Sequence, residues 1–294
     1  MKKTLLLATA LLAAATTFAG EDVLARHQAF RKEIAVNPAA AQNYLKDQDA
    51  EIRRYALYTL IKNKAPNIQE LLTAAAKDPD DMVRLTAVSA LSSMAQGNPA
   101  VVKIMDEVAA SDENNQVRQI ALKYSWPFHR ETTLLREDKE WDHDVVVVKR
   151  FTIPDDNWKI QKDLKIDGHR QGWFKPEFDD SKWLPIKVGH WEVLNVLPDY
   201  DGFAWYRIKF KMPEKMDFTS IEIAFGGVDE SAWVWLNGIY LGSHDIGPAG
   251  WNEPFAIDCR KEAKWGEENV LVVRVQDTAS GGGIWKPISI EILK

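Results

Sequence analysis

The chain has 294 residues, a formal net charge of −6 and a single cysteine, Cys259. The length allows two domains of ordinary size, and the acidic balance disfavours binding to nucleic acid or to an anionic membrane surface. A single cysteine excludes an internal disulfide, so the fold must be held together by its cores. We expect Cys259 to be a buried, neutral thiol.

The first 19 residues have the pattern of an export signal. Lys2 and Lys3 precede an apolar run from Leu5 to Ala15, and small residues follow up to Ala19. The run is too short to cross the roughly 30 Å apolar core of a bilayer, and no other segment is apolar enough to span it. We therefore expect cleavage after Ala19 and a periplasmic or secreted protein without a membrane span.

One motif recurs three times in the alanine-rich region 21–128. Each copy has an aspartate, a β-branched aliphatic residue five positions later, then an arginine, and an alanine three positions further on. Such spacing is typical of a stacked helical solenoid. We expect each aspartate to cap a helix N-terminus and each alanine to lie where helices approach closely. The motifs contain Asp47 and Ala56, Asp78 and Ala87, and Asp112 and Ala121.

This pattern resembles the inner helix of HEAT-type repeats, although the repeats are short for that class. The motif arginines Arg53, Arg84 and Arg118 have two interpretations. They form a ligand-binding row on the concave face, or each bonds the aspartate of its own or the adjacent repeat. The second interpretation is favoured. The stack ends in the apolar segment Trp126-Pro127-Phe128, which predicts a protein partner for the repeats.

Residues 129–140 are charged and lack apolar periodicity, which predicts a linker or a tie between domains. All 12 tryptophans lie at or after Trp126, so the C-terminal part has a different kind of core. From Trp141 onward the sequence predicts strands of a β-sandwich. The predicted strands cover residues 145–151, 158–162, 183–188, 203–212, 221–225, 232–236, 239–241, 251–258, 269–276 and 285–293.

The segment 203–212 has the period of two that is typical of a half-buried strand. Tyr206 falls on the apolar face with Ala204, Ile208 and Phe210, whereas Arg207 falls on the face predicted to be wet, with Lys209 and Lys211. Asn237-Gly238 predicts a tight type I′ hairpin turn.

The strand around Trp233 and Trp235 is apolar on both faces, because Val234 and Leu236 occupy the opposite face. A sandwich strand has only one inner face. The outer face must therefore be covered by loops or by the helical stack, or else it is a ligand platform. Cover by other parts of the chain is the favoured interpretation.

A series of short motifs runs in one order through the last half of the chain. Together they resemble the sugar-binding jelly-roll domain that precedes the catalytic barrel in glycoside hydrolase family 2 enzymes, such as β-galactosidases and β-glucuronidases. The resemblance implies a galactose-binding-like β-sandwich over 141–294, and it is more specific for fold than for function. The motifs are Trp158 to Asp163, Gly172-Trp173, Phe178 to Trp183, Tyr200 to Arg207, Gly226 to Glu230, Asn237-Gly238, Leu271 to Asp277 and Gly282 to Pro287.

The loop after Asp277 is the most informative one for function. The resemblance implies that Asp277, six residues before Gly283, reaches the substrate sugar, and a carboxylate accepts hydrogen bonds from vicinal hydroxyls. The alternative is a turn aspartate that binds backbone N–H groups of the glycine run. Trp285 either stacks on a sugar or fills the end of the sandwich. We expect a sugar site at the rim formed by Asp201, Trp251, Asp277 and Trp285.

Catalysis is not expected. Glycoside hydrolysis needs two carboxyl groups flanking the glycosidic bond, and in the resembling enzymes both come from a barrel of about 250 residues. This sequence ends at Lys294, nine residues after Trp285. It has no nucleophile elbow, zinc-binding helix motif, phosphate loop or paired cysteines, and its histidines lack ligand spacing. No cofactor or metal is predicted.

The sequence thus predicts helical repeats followed by a jelly-roll sandwich, in an exported, non-catalytic carbohydrate-binding protein. One alternative is a protein interaction scaffold that has no sugar site. Another is an accessory subunit that lends Asp277 to a separate barrel chain. Nothing in the sequence identifies the glycan.

Overall fold

The computed structural model describes residues 23–294, so the predicted export signal lies outside the described residues. The chain divides into two compact units, with the boundary between Trp126 and Pro127. The first unit is helical and the second is a β-sandwich, which confirms the predicted fold class. No helix within 23–294 is both long and apolar enough to cross a bilayer.

The helical unit is a stack of short helices. Helices α2, α4 and α6 pack side by side, and α3 and α5 pack against them, which is the arrangement of a helical-repeat solenoid. The alanines predicted at close helix contacts, Ala56, Ala87 and Ala121, are fully buried. The helices are α1 (23–36), α2 (Ala50–Lys62), α3 (Ile68–Ala75), α4 (Asp81–Ser92), α5 (Pro99–Ser111) and α6 (Asn115–Ser125), with a 3₁₀ turn at Pro38–Tyr44.

The helix caps differ from the prediction. The side chains that cap α2, α4 and α6 belong to residues two positions after the motif aspartates. Each motif aspartate instead accepts a hydrogen bond from the N–H of the capping residue. The prediction that Asp47, Asp78 and Asp112 are N-caps is therefore wrong, because the turn before each helix needs its own acceptor. The N-caps are Asp49, Asp80 and Asn114.

The sandwich packs a four-stranded sheet, in the order β1-β12-β5-β9, and a six-stranded sheet, in the order β3-β2-β4-β10-β7-β8. Neighbouring strands pair antiparallel, and the apolar residues between the sheets form one continuous core. The strands are β1 (Val147–Thr152), β2 (Trp158–Lys162), β3 (Leu184–Ile186), β4 (Gly202–Lys211), β5 (Ser220–Phe225), β6 (Val228–Asp229), β7 (Ser231–Leu236), β8 (Ile239–His244), β9 (Phe255–Asp258), β10 (Glu268–Asp277), β11 (Gly283–Ile284) and β12 (Ile288–Leu293).

The six-stranded sheet has a second apolar layer on its outer face. Trp235 is fully buried there by Phe128, Phe174 and Trp205, with ring centroids 5.0 to 5.9 Å apart. Other parts of the chain thus cover this face, as the sequence predicts. The same layer corrects the prediction for Arg207, which is 1% exposed rather than wet.

Arg207 is accommodated because its guanidinium is fully paired within this layer. It bonds the carboxylate of Asp180 at 2.9 Å and the carbonyl oxygens of Trp173 and Lys175. The loop that supplies these acceptors lies between β2 and β3. The alternation of polar and apolar residues in the sequence cannot show whether the polar face of a strand meets solvent or a loop that supplies hydrogen-bond acceptors.

The segment 129–140, predicted as a linker or tie, is anchored to the sandwich. Arg130 forms an ion pair with Glu262 at 3.0 Å, and Arg136 bonds Glu291. Leu135 between them is 3% exposed.

Cys259 is fully buried, and burial raises the pKa of its thiol, as expected for a neutral cysteine.

The hairpin between β7 and β8 turns at Asn237-Gly238 with positive φ at both residues, 53° and 84°, as the sequence predicts. Trp251 was expected in a strand over 251–258. It lies instead in a 3₁₀ turn, Gly247–Asn252, and β9 begins at Phe255. Pro248 at the start of this turn favours the tight helical conformation.

Candidate functional site

Two strand pairings bring separate segments together at one end of the sandwich. Asp277, the last residue of β10, pairs with Gly202 at the start of β4. Asp229 of β6 pairs with Gly283 of β11. Asp229, Glu230 and Asp277 converge there, each offering a carboxylate oxygen within 4.8 Å of the other two. We refer to these three residues as the acidic end.

The carboxylates of the acidic end have few hydrogen-bond donors. Asp277 is 1% exposed; its Oδ1 accepts the N–H of Ala279 at 3.1 Å, and its Oδ2 is buried without a hydrogen-bond partner. The Thr278 hydroxyl lies 2.9 and 2.8 Å from the two oxygens of Glu230. One hydroxyl has one proton to donate, so Glu230 also has spare acceptor capacity.

Burial and neighbouring negative charges raise the pKa values of Asp229 and Asp277. Burial raises the pKa of Asp277 to about 7, and the charges of Asp229, Glu192 and Asp201 add to the rise, although the N–H of Ala279 opposes it. Burial, followed by the charges of Glu230 and Glu192, raises the pKa of Asp229 to about 6. The acidic side chains around Asp229 and Asp277 thus disfavour each other's ionisation.

The loop from Glu192 closes one side of the site. Its Oε2 accepts the N–H of Gly282 at 3.0 Å, and the carbonyl of Gly282 accepts the N–H of Trp191 at 3.0 Å. Glycine is required at this position, because a Cβ would lie 2.7 Å from the Cβ of Asp277 and would overlap the ring of Trp191. The glycine run thus allows close packing of the backbone beside Asp277.

Three aromatic side chains form a stack beside the acidic end. Trp285 lies parallel to Trp251, with ring centroids 5.6 Å apart, and parallel to His190 at 5.0 Å. The indole N–H of Trp285 also donates to the carbonyl of Trp251 at 2.7 Å. His190 connects the stack to the acidic end, because its Nδ1 lies 3.8 Å from Oδ2 of Asp229. We refer to Trp251, Trp285 and His190 as the aromatic stack.

The four residues of the predicted rim occupy this region in different ways. Trp251 is 49% exposed, whereas Trp285 is half-buried within the stack. Asp201 is exposed, and it immediately precedes Gly202, the strand partner of Asp277. Asp277 lies beneath the surface. The turn hydrogen bond to Ala279 is one of the two roles considered for it.

Sequence reasoning missed four neighbours of these residues. Asp229 and Glu230 stood in the Gly226 to Glu230 motif, which was interpreted only as a fold signature. Two adjacent acidic residues, separated from two glycines by Val228 alone, could have identified these positions. No sequence pattern identified Glu192 and His190, because they approach the acidic end only through the packing of their loop against Gly282.

The aromatic stack and the acidic end together offer two kinds of contact to a ligand. The exposed indole offers an apolar surface, and the carboxylates accept hydrogen bonds or electrostatic interactions from a ligand. Hydroxyl groups and hard cations are the partners that match these acceptors.

Comparisons with known proteins agree with this division of the chain. Residues 38–124 match the family model for HEAT repeats, and residues 168–280 match that for the β-galactosidase second all-beta domain. A β-glucuronidase from Formosa agariphila is 36% identical over 115 residues, which cover 34% of this chain and 11% of that protein. A β-galactosidase from Thermoanaerobacter pseudethanolicus is 28% identical over 142 residues, 41% of this chain and 18% of that protein.

Solved structures of a glycoside hydrolase family 2 member and of a β-glucuronidase also align with part of the chain. A family member from Bacteroides cellulosilyticus has 22% identity and a TM-score of 0.41, covering 49% of this chain and 21% of that chain. A β-glucuronidase from an uncultured Clostridium has 22% identity and a TM-score of 0.43, and the alignment covers 49% of this chain and 29% of that chain. The chain spans 11% to 20% of the length of the curated relatives. The match to the curated relatives therefore extends over only one part of their length.

Proposed function

We propose that this chain is an exported, non-catalytic carbohydrate-binding protein whose ligand binds at the aromatic stack. The exposed indole of Trp251 is the observation that carries the proposal. It is 49% exposed yet held in place by stacking on Trp285 and by a backbone hydrogen bond. A rigid exposed indole suits the apolar face of a pyranose, because little conformational entropy is lost on binding.

Polar contacts in this proposal come from the exposed residues around the stack. Asp201 is exposed on the same end of the sandwich, where its charge acts on Asp277. Its carboxylate accepts hydrogen bonds from vicinal sugar hydroxyls. Asp277 is too deeply buried for direct contact at 1% exposure, and its role is to hold the loop that carries Trp285.

The same burial favours binding over hydrolysis. A glycosidase needs two carboxyl groups that reach opposite sides of a glycosidic bond, whereas Asp229 and Asp277 are 7% and 1% exposed. The relatives named β-glucuronidase and β-galactosidase match only over one part of their length. Their names suggest glucuronides and galactosides as the first ligands to examine.

Calorimetric titration of the mature protein with galactosides, glucuronides and oligosaccharides tests the proposal. We expect binding that Trp251→Ala weakens by about tenfold, which corresponds to about 1.4 kcal/mol. Ile239→Ala removes a side chain that is 54% exposed in the β7–β8 hairpin and should leave affinity unchanged. Absence of binding by the wild type to every glycan would refute the proposal.

The export part of the proposal rests on the first 19 residues. N-terminal sequencing of protein recovered from the producing cells should give a start near Gly20 or Glu21. A chain that retains Met1 would contradict export with cleavage.

A protein interaction scaffold is the second candidate, and one surface of the helical unit favours it. Tyr55 and Tyr58 on α2 are 46% and 55% exposed, and Met82 on α4 is 42% exposed. Exposed aromatic and methionine side chains are enriched at protein interfaces. The accessory-subunit alternative is less well supported, because Asp277 would have to extend into another chain's active site.

A further inference from the structure

We propose that the acidic end is a calcium-binding site, with Asp229, Glu230 and Asp277 as ligands. The proposal is separate from carbohydrate binding, since it concerns the buried carboxylates rather than the exposed indole. Its starting point is the convergence of three carboxylate oxygens within 4.8 Å of one another. Oxygen ligands on opposite sides of a calcium ion lie about 5 Å apart, given Ca–O distances of about 2.3 to 2.6 Å.

The second observation is the state of Asp277. Asp277 is 1% exposed, and its Oδ2 is buried without a hydrogen-bond partner. A buried carboxylate oxygen without a partner costs free energy. The carboxylates of Asp229 and Glu230 lie beside it and have no proton to donate when ionised. A cation among the three would interact favourably with each of them.

Glu192 adds a further carboxylate beside the site. Its Oε1 is also buried without a hydrogen-bond partner. Its Oε2 accepts the N–H of Gly282 at 3.0 Å, and a Cβ on Gly282 would lie 2.7 Å from the Cβ of Asp277. Glu192 therefore contacts the loop that packs against Asp277.

The donor chemistry selects calcium among common metal ions. All three central ligands are hard carboxylate oxygens, whereas zinc sites in proteins are built mainly from cysteine and histidine. Magnesium demands near-ideal octahedral geometry at about 2.0 to 2.1 Å, and calcium tolerates irregular arrangements of six to eight oxygens. Carboxylates from β6, from the residue after it and from β10 give such an irregular set.

Calorimetry of the chelator-treated full chain with calcium chloride tests the proposal. We expect one calcium ion per chain, and a melting temperature of the sandwich unit that rises by about 5 °C at calcium concentrations about 100 times Kd. Asp277→Asn and Glu230→Gln should each abolish this rise. Asp142→Asn removes a carboxylate whose side chain is 86% exposed, outside the cluster, and should keep it.

Two ligand variants are used so that the test still has a comparison if one of them does not fold. If Asp277→Asn fails to give a folded circular dichroism spectrum, Glu230→Gln supplies the comparison. Absence of binding heat and thermal shift with the wild type would overturn the proposal, as would wild-type calcium affinity in a folded Asp277→Asn or Glu230→Gln variant. Binding of zinc or magnesium but not calcium would overturn the choice of ion. No glycan is used, so the result is independent of the carbohydrate proposal.

Discussion

Arg53 of one helical repeat donates two hydrogen bonds to the carboxylate of Asp78 in the next repeat, at 2.8 and 2.7 Å. Arg84 repeats this contact with Asp112 at 2.8 and 3.0 Å. Each guanidinium also bonds carbonyl oxygens at the turn before its own helix. The bidentate pairs tie successive repeats together, so these arginines are structural, and the alternative of a ligand-binding row is not required.

Arg84→Met should destabilise the helical unit by about 3 kcal/mol, because it leaves Asp112 nearly buried without its partner. Arg118→Met is the matched control, since Arg118 bonds two carbonyl oxygens and Asn115 but no aspartate of a following repeat. Urea unfolding followed by far-ultraviolet circular dichroism measures both. Equal losses in the two variants would contradict a special role for the bidentate pair.

The Arg53–Asp78 pair predicts a dependence of stability on pH. Burial opposes ionisation of Asp78, but the hydrogen bonds from Arg53 and from the N–H of Asp80 outweigh it and lower its pKa. A carboxyl pKa below its unfolded value of about 3.9 contributes stability above that pH, and the contribution is lost as pH falls through the folded pKa.

Asp78→Asn should therefore be less stable than the wild type at neutral pH, and the difference should shrink below about pH 4. Glu70→Gln, which removes an exposed carboxyl on α3, is the control and should follow the wild-type curve. Urea unfolding at a series of pH values measures the difference. A constant difference across the acid range would show that ionisation of Asp78 does not stabilise the fold.

The sequence predicted the features that depend on local pattern. The Asn237-Gly238 turn and the apolar face of β4 follow from residues that are adjacent in sequence. Burial of Arg207 could not be predicted in this way, because its acceptors lie about 30 positions earlier in a loop without regular structure. Alternate residues of a strand point to opposite faces of the sheet. This alternation does not show whether solvent or another part of the chain covers each face.

The candidate site was predicted only in part for a similar reason. Trp251 and Trp285 were predicted to lie at one rim, and the structure brings their rings together. Asp229 lies on β6, which pairs with β11, and each of these strands has two residues. Strands of that length have no detectable period. Their pairing is specified by the surrounding sandwich rather than by their own residues.

Ala87→Leu should destabilise the helical unit by about 1 to 3 kcal/mol, because Ala87 is fully buried where α4 packs against its neighbours. The larger side chain forces adjacent helices apart. Ser89→Leu adds volume at an exposed position of the same helix and serves as control. Thermal unfolding followed by circular dichroism should show a lower midpoint for the first variant, and an unchanged midpoint would contradict the close-packed stack.

The last prediction concerns Gly282, where the chain passes between Trp191 and Asp277. An added Cβ would lie 2.7 Å from the Cβ of Asp277 and would overlap the indole of Trp191, and neither group has room to move, since Trp191 is fully buried. Gly282→Ala should therefore destabilise the sandwich by about 1 to 3 kcal/mol. At Gly281 the nearest atom is Nδ1 of half-buried His190 at 3.1 Å.

Gly281→Ala is thus the matched control, and it should cost less because the imidazole can shift. Tryptophan fluorescence during urea unfolding reports mainly on the sandwich, because every tryptophan except Trp126 lies in the sandwich unit. The native-state spectrum of Gly282→Ala should also change, because the backbone that packs against Trp191 must be displaced. If Gly282→Ala has the stability and the fluorescence spectrum of the wild type, the loop has room for a larger residue beside Asp277. The close packing of Gly282 between Trp191 and Asp277 would then be incorrect.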